Sequence, residues 1–239
     1  IAREMETSVK ITSGPAIERV GDLASLLTNL QPHEILFIDE VHRLSKLIEE
    51  VLYPAMESRV LDIMIGKGPS ARTIQLELPP FTLIAATTRI GMLSSPLRSR
   101  FGNTFRFEFY TPEELVRILI RSAGVLGVSL DSEAATLLAR SCRATPRVAN
   151  RLLKRCRDWA QVHGNTAITR SVVTDTLALM EIDGQGLEPM DRRIMSVIVE
   201  KFAGGPVGLQ ALAAASAEEE DTIVEVYEPY LMRLGFIER

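Results

Sequence analysis

The chain has 239 residues, 46% of them hydrophobic and 24% charged, and a formal net charge of −4. That balance excludes a disordered chain, and the charge excludes nucleic-acid binding by bulk polycation, so any DNA contact has to be a local basic face. No apolar run approaches the roughly 20 residues needed to cross a bilayer. Two cysteines, Cys142 and Cys156, and three scattered histidines, His33, His42 and His163, supply neither a disulfide framework nor a zinc site, which fits a reducing, cytoplasmic setting. The opening IAREMETSVKITSGP has no signal-peptide pattern. Ile1 to Met5 reads as the tail of a helix and LGFIER as the start of an extended stretch, so the chain is expected to be a piece of a longer protein.

Up to about residue 110, short apolar strands alternate with helical stretches, which predicts a parallel α/β sheet covered on both faces. The strands are Val9 to Thr12, Ile35 to Asp39, Thr82 to Ala86 and Phe105 to Phe109, with helices at about 21–30 and 43–57. RVLDIMIGKGPSARTIQLELPP interrupts that order and reads as a β-hairpin around Gly66, Lys67, Gly68 and Pro69. Its two-residue period puts Leu61, Ile63 and Ile65 on one side, either as a partner site on a protruding hairpin or as a face folded back on its own domain. From Thr111 the text turns helical: Thr111 as N-cap, Pro112 at N1 and Glu114 at N3 mark one start. Further helices are predicted at about 131–142, 145–162 and 169–181. After a loop at Asp183 to Gly186, three more at about 188–203, 208–215 and 219–234, ending in a strand, suggest a helix-turn-helix or winged-helix unit.

The strongest chemical signal is ILFIDEVH, an apolar strand ending in two acids. In P-loop nucleotide hydrolases such a pair divides two tasks: Asp39 would help hold hydrated Mg²⁺ and Glu40 would polarise the attacking water. A solvated strand end before a helix start remains the bland alternative. The strand FTLIAATTR ends in Thr87 and Thr88, hydroxyls suited either to a phosphate or to capping the next turn. Arg98 and Arg100 in SSPLRSRFG are candidates for an arginine offered to a neighbouring subunit's phosphate. Arg147, in the first turn of the helix begun by ATPR, opposes the helix dipole and so invites a phosphate contact. GKGPS is no phosphate cradle, because a strand rather than a helix follows it, and G-x-x-x-x-G-K-[ST] occurs nowhere in the 239 residues.

Taken in order, SGPAIERVGDL, ILFIDEVHRL, EEVLYPAME, LDIMIGKGPSAR, LPPFTLIAATTR, SSPLRSRFG, FEFYTPEEL, ATPRVANRLL, MDRRI and GGPVGL resemble the RuvB family of Holliday-junction branch-migration ATPases, within the AAA+ class. The resemblance implies an α/β AAA+ core with a β-hairpin insertion over 1–112, a small helical domain over 113–183 and a winged-helix head over 186–239. It implies ATP and Mg²⁺ as cofactors, Asp39 and Glu40 as the acidic pair, Thr87 or Thr88 as first sensor, Arg100 as the arginine finger and Arg147 as second sensor. It adds Glu57, Ser58, Arg59 and Tyr110 near the nucleotide, Arg239 at the DNA backbone, and Leu61, Ile63 and Ile65 as the docking element for RuvA. A homohexamer on Holliday-junction or duplex DNA follows, with the RuvC resolvase as a further candidate partner. The residues also leave open a non-hydrolysing DNA-binding adaptor and a clamp-loader-like ATPase.

Overall fold

The computed structural model describes residues 1–65 and 72–239; the side chains of Met64, Ile65 and Arg72 also lie outside the description, and so do the expected Gly66 to Pro69 turn and the outward face of Ile65. The chain folds as two compact units, Ile1–Arg106 and Phe107–Arg239.

In the first unit, β1 (Val9–Ser13), β2 (Ile35–Asp39), the antiparallel pair β3 (Val60–Ile65) and β4 (Arg72–Glu77), and β5 (Thr82–Ala85) are joined by α1 (Val20–Thr28), α2 (Lys46–Glu57) and α3 (Ser95–Arg100). β1, β2 and β5 make a parallel sheet in that order, with Val9 opposite Ile35, Ser13 opposite Asp39, and Ile38 opposite Ala85. In β2 the residues Ile35, Leu36 and Ile38 are buried, as a strand covered on both faces requires, and only Asp39 at the tip is exposed. Leu23 and Leu27 of α1 pack on this strand together with Ile48 and Leu52 of α2. Glu34 fixes the other end of the sheet: it accepts from the Ser8 hydroxyl at 2.7 Å and the Gln31 N–H at 2.9 Å. These two donors hold its carboxyl below the ordinary 4.5 against the opposing effect of burial.

The second unit contains α4 (Pro112–Leu126), β6 (Ser129–Leu130), α5 (Ser132–Ser141), α6 (Pro146–Val162), β7 (Ala167–Ile168) and α7 (Arg170–Leu179), followed by α8 (Pro189–Phe202), α9 (Leu209–Ser216), α10 (Glu220–Thr222) and α11 (Glu228–Arg233). α4 starts on the expected capping box: Thr111 Oγ1 accepts from the Glu114 N–H at 3.3 Å and the Glu114 carboxylate accepts from the Thr111 N–H at 2.9 Å. In α6, Ala149, Leu152, Leu153, Cys156 and Ala160 recur at helical spacing and are buried against Leu115, Leu119 and Leu138. A separate core joins Leu187, Ile194 and Val197 to Leu212, Ile223 and Leu231. Between α10 and α11 the helix widens into a π turn over Ile223–Tyr227, just ahead of Pro229, which has no N–H to return to the preceding turn.

Two expected strands are corrected. Phe105 to Phe109 forms none: the alternation of Phe with Arg and Glu suits a strand, but no ladder partner lies beside it among the described residues, and Phe105 and Phe107 are 80% and 92% exposed. LGFIER likewise makes no strand. The two-residue parallel pair of β6 and β7 was too short to leave a periodic signal.

Candidate functional site

Two neighbouring parallel strands deliver the site's residues to one edge of the sheet. β2 ends at Asp39, whose Oδ1 accepts, among the described residues, only from the next backbone N–H, at 3.0 Å, leaving an exposed carboxylate at the tip. Glu40 then takes a left-handed conformation, φ 48° and ψ 46°, and the chain turns into a short 3-10 helix at Val41–Arg43. That turn is enforced by close packing: a Cβ on Gly14 would lie 2.3 Å from the Glu40 carbonyl oxygen. β5 ends beside it, and Ala86 continues the alignment by donating to the Ile38 carbonyl at 2.9 Å and accepting from the Val41 N–H at 3.0 Å.

Thr87 and Thr88 therefore arrive next to Glu40. The Thr88 hydroxyl donates to Glu40 Oε2 at 3.4 Å. His42, with its side chain 8% exposed, bridges the rest: its Nδ1 lies 3.1 Å from Glu40 Oε2 and 2.8 Å from Thr87 Oγ1. A proton on Nδ1 lets the ring donate to both oxygens at once. Thr87 Oγ1 also accepts from the Arg89 N–H at 3.1 Å. Glu40, Thr87 and Thr88 thus form one network beside the open Asp39 carboxylate, and the sequence reading missed the histidine at its centre.

Arg100, at the end of α3, belongs to a second cluster with Glu57, at the end of α2. Its Nε lies 3.0 Å from Glu57 Oε1, an ion pair without hydrogen-bond alignment, while Nη1 donates to the Pro96 carbonyl at 2.9 Å. The guanidinium sits 4.5 Å from the ring centroid of Tyr53, whose hydroxyl is 2.9 Å from Ser94 Oγ. Ser58 caps α2 and Arg59 turns the chain with φ 57°, both exposed and making no contact to the strand-tip group among the described residues.

Of the expected docking residues, Leu61 is corrected: it is fully buried in the core of the first unit, opposite Leu76. The hairpin's apolar stripe starts inside and emerges along its length, because Ile63 is half-buried on that core while its cross-strand partner Ile74 is 45% exposed.

The remaining expected residues belong to the second unit. Arg147 is exposed in the first turn of α6 and has no ion pair among the described residues. Tyr110 donates its N–H to the Ala144 carbonyl at 3.1 Å and accepts from Arg233 at 3.4 Å. Arg239 pairs with Glu228 at 2.9 Å.

Among the described residues no cluster of three or more His, Cys, Asp or Glu could hold a metal ion. The single open carboxylate of Asp39 nevertheless fits Mg²⁺, which keeps most of its waters and is held through one or two carboxylates plus substrate phosphates. No helix among those residues is long and apolar enough to cross a membrane.

Residues 1–107 match the family described as Holliday junction DNA helicase RuvB P-loop domain, residues 110–183 the RuvB AAA lid domain, and residues 184–239 the RuvB C-terminal winged helix domain. The chain is similar to the Holliday junction branch migration complex subunit RuvB of Dehalococcoides mccartyi (strain CBDB1), with 59% identity over all of this chain and 68% of that protein. Among solved structures it is similar to the Thermotoga maritima RuvB Holliday junction branch migration motor, with 45% identity, TM-score 0.87, and coverage of 100% of this chain and 75% of that one. A point mutant of the same Thermotoga protein aligns with TM-score 0.89 at 45% identity, covering 100% of this chain and 76% of that one.

Proposed function

The chain belongs to the RuvB family of Holliday junction DNA helicases, and on that premise we propose that it provides the ATP-driven motor that moves four-way DNA junctions, working in the cytoplasm beside a RuvA partner. The observation that carries the proposal is the meeting of Asp39 and Glu40 with Thr87 and Thr88 at adjacent strand tips. We assign the large ATPase domain to 1–112, the small helical domain to 113–183 and the winged-helix head to 186–239; the separate apolar cores within the second unit support the latter division.

Asp39 is the residue that would hold Mg²⁺, and the ion when bound supplies neutralisation of phosphate charge. Glu40 accepts the proton of the attacking water; His42 and Thr88 converge on its Oε2 and so leave Oε1 for that water. Thr87 and Thr88 orient the terminal phosphate and the water by hydrogen bonds. Arg100 stabilises negative charge on a neighbouring subunit's ATP in a homohexameric ring, and must exchange Glu57 for that phosphate to do so. Arg147 senses the nucleotide from the first turn of α6, with Glu57, Ser58, Arg59 and Tyr110 contributing around it. Arg239 contacts the DNA backbone, and the emerging stripe at Ile63 receives RuvA.

The test is ATP-dependent migration of a synthetic four-way junction by the full-length gene product with RuvA. Asp39→Asn should abolish turnover and migration while RuvA still binds; normal turnover would end this reading. The 239 residues themselves contain no G-x-x-x-x-G-K-[ST], so calorimetry on this chain alone should show weak binding of Mg-ATP and no hydrolysis. Micromolar affinity would contradict that.

A further inference from the structure

A buried guanidinium ties the lid-matching and winged-helix-matching parts of the second unit together. Arg143 lies in the loop between α5 and α6, where it and Ala144 take consecutive left-handed conformations, φ 53° and 54°. Neither is glycine, so the turn is held against local preference. The turn aims Arg143 away from its own helices. Nη1 donates to Asp191 Oδ2 at 2.6 Å and Nη2 donates to the Val226 carbonyl at 2.8 Å. The guanidinium also lies 4.7 Å from the ring centroid of Tyr230.

Each partner is itself fixed. Asp191 is fully buried in the first turn of α8 and accepts from the Glu188 N–H at 2.8 Å. The Tyr230 hydroxyl donates to the Gln185 carbonyl at 2.5 Å. Gly186, with φ 79°, passes so close to α5 that a Cβ would stand 2.6 Å from the Ser141 carbonyl oxygen. Burial pushes the Asp191 carboxyl up, and the Glu188 N–H and the Arg143 charge oppose it. A buried pair of this kind adds little net stability but can fix how two elements register.

We propose that Arg143 is a positioning residue that makes the lid and winged helix one rigid lever. It stands four positions before Arg147, and its one guanidinium engages both α8 and the π turn, so a movement of the first turn of α6 reaches both through it. The rigidity stands on the contacts alone; its use in transmitting nucleotide state rests on the motor reading above.

The experiment places spin labels at Val125→Cys in α4 and Val199→Cys in α8, both well exposed, in this chain. Native Cys142 and Cys156 are buried, with burial pushing their thiols up, that of Cys156 to about 11, so they resist labelling. The native chain should give one narrow inter-label distance. Arg143→Met should give a broad or multimodal distribution, and Arg143→Lys, whose single ammonium cannot serve both Asp191 and Val226, an intermediate one. A folded Arg143→Met with native width would overturn the proposal; if that variant does not fold, native width in Arg143→Lys overturns it. In the full-length gene product, Arg143→Met should keep ATP turnover and lose junction migration, with partial recovery in Arg143→Lys. Migration at the native ratio to turnover would refute the transmitting role. If the unmodified protein moves no junction, the motor reading fails and the lever is decided by the distances alone.

Discussion

The strand-tip group and the Arg143 seam place charges in opposite ways. At the strand tips Asp39 is exposed and, among the described residues, accepts only from the Glu40 N–H, while Glu40 is held by His42 and Thr88 on one oxygen. At the seam Arg143 and Asp191 are both buried and engaged by the protein itself: Arg143 donates to Asp191 and the Val226 carbonyl, and Asp191 Oδ2 accepts from Arg143 and the Glu188 N–H, its Oδ1 having no partner among the described residues. Open carboxylates can exchange water for a phosphate and its cation, whereas an enclosed carboxylate paired with a buried guanidinium holds protein parts in place. Accessibility, more than the identity of the charged residue, separates a binding group from a mechanical one.

The contrast can be broken first at the seam. Arg143→Ala should destabilise the second unit by about 3–5 kcal/mol, because it leaves a buried carboxylate unpaired; thermal unfolding read with Trp159 fluorescence reports it, Trp159 being the single tryptophan and within that unit. A loss comparable to that of an exposed pair would erase the distinction. Gly14→Ala comes next: the added methyl meets the Glu40 carbonyl and should cost about 1–3 kcal/mol by overpacking. In the full-length protein it should also lower ATP turnover by displacing Glu40, whereas unchanged turnover would show that this close approach does not set the site.

Glu34→Gln sharpens the picture through pH. The folded carboxyl is held below its ordinary value, so its contribution is present above pH 4.5 and is lost as pH falls through the lowered folded value. The substitution should lower stability at neutral pH and flatten the acid limb of a denaturation profile; an unchanged limb would show that the Ser8 and Gln31 bonds do not anchor the sheet. The smallest effect belongs to Arg151→Ala. Its pair with Glu188, at 2.8 Å, is half-exposed and should be worth about 0–1 kcal/mol in chemical denaturation.

Much of this was legible in sequence wherever the determinants are local. ILFID is a strand because its apolar run has no helical period, and the Thr111, Pro112 and Glu114 start is a three-signal cap; both elements formed with those residues. The parallel sheet was legible, and its observed order, with β5 beside β2, brought Thr87 and Thr88 to Glu40. What failed or went unseen depends on distant partners. His42 joins Thr87 across 45 positions and Arg143 joins Asp191 across 48, and no spacing rule links such residues. Phe105 to Phe109 has strand composition without a ladder partner, and Leu61 shares a stripe with Ile63 yet lies where the hairpin root enters the core. The two-residue period assigns a face, not a depth.

The most direct measurement is turnover of Mg-ATP by the full-length protein carrying Glu40→Gln, with nucleotide occupancy determined in the same samples. Occupancy should persist while turnover falls by roughly 10²–10⁴-fold, the contribution of a positioned general base. Turnover at the native rate, with nucleotide bound, would contradict the role given to Glu40 at the strand tip.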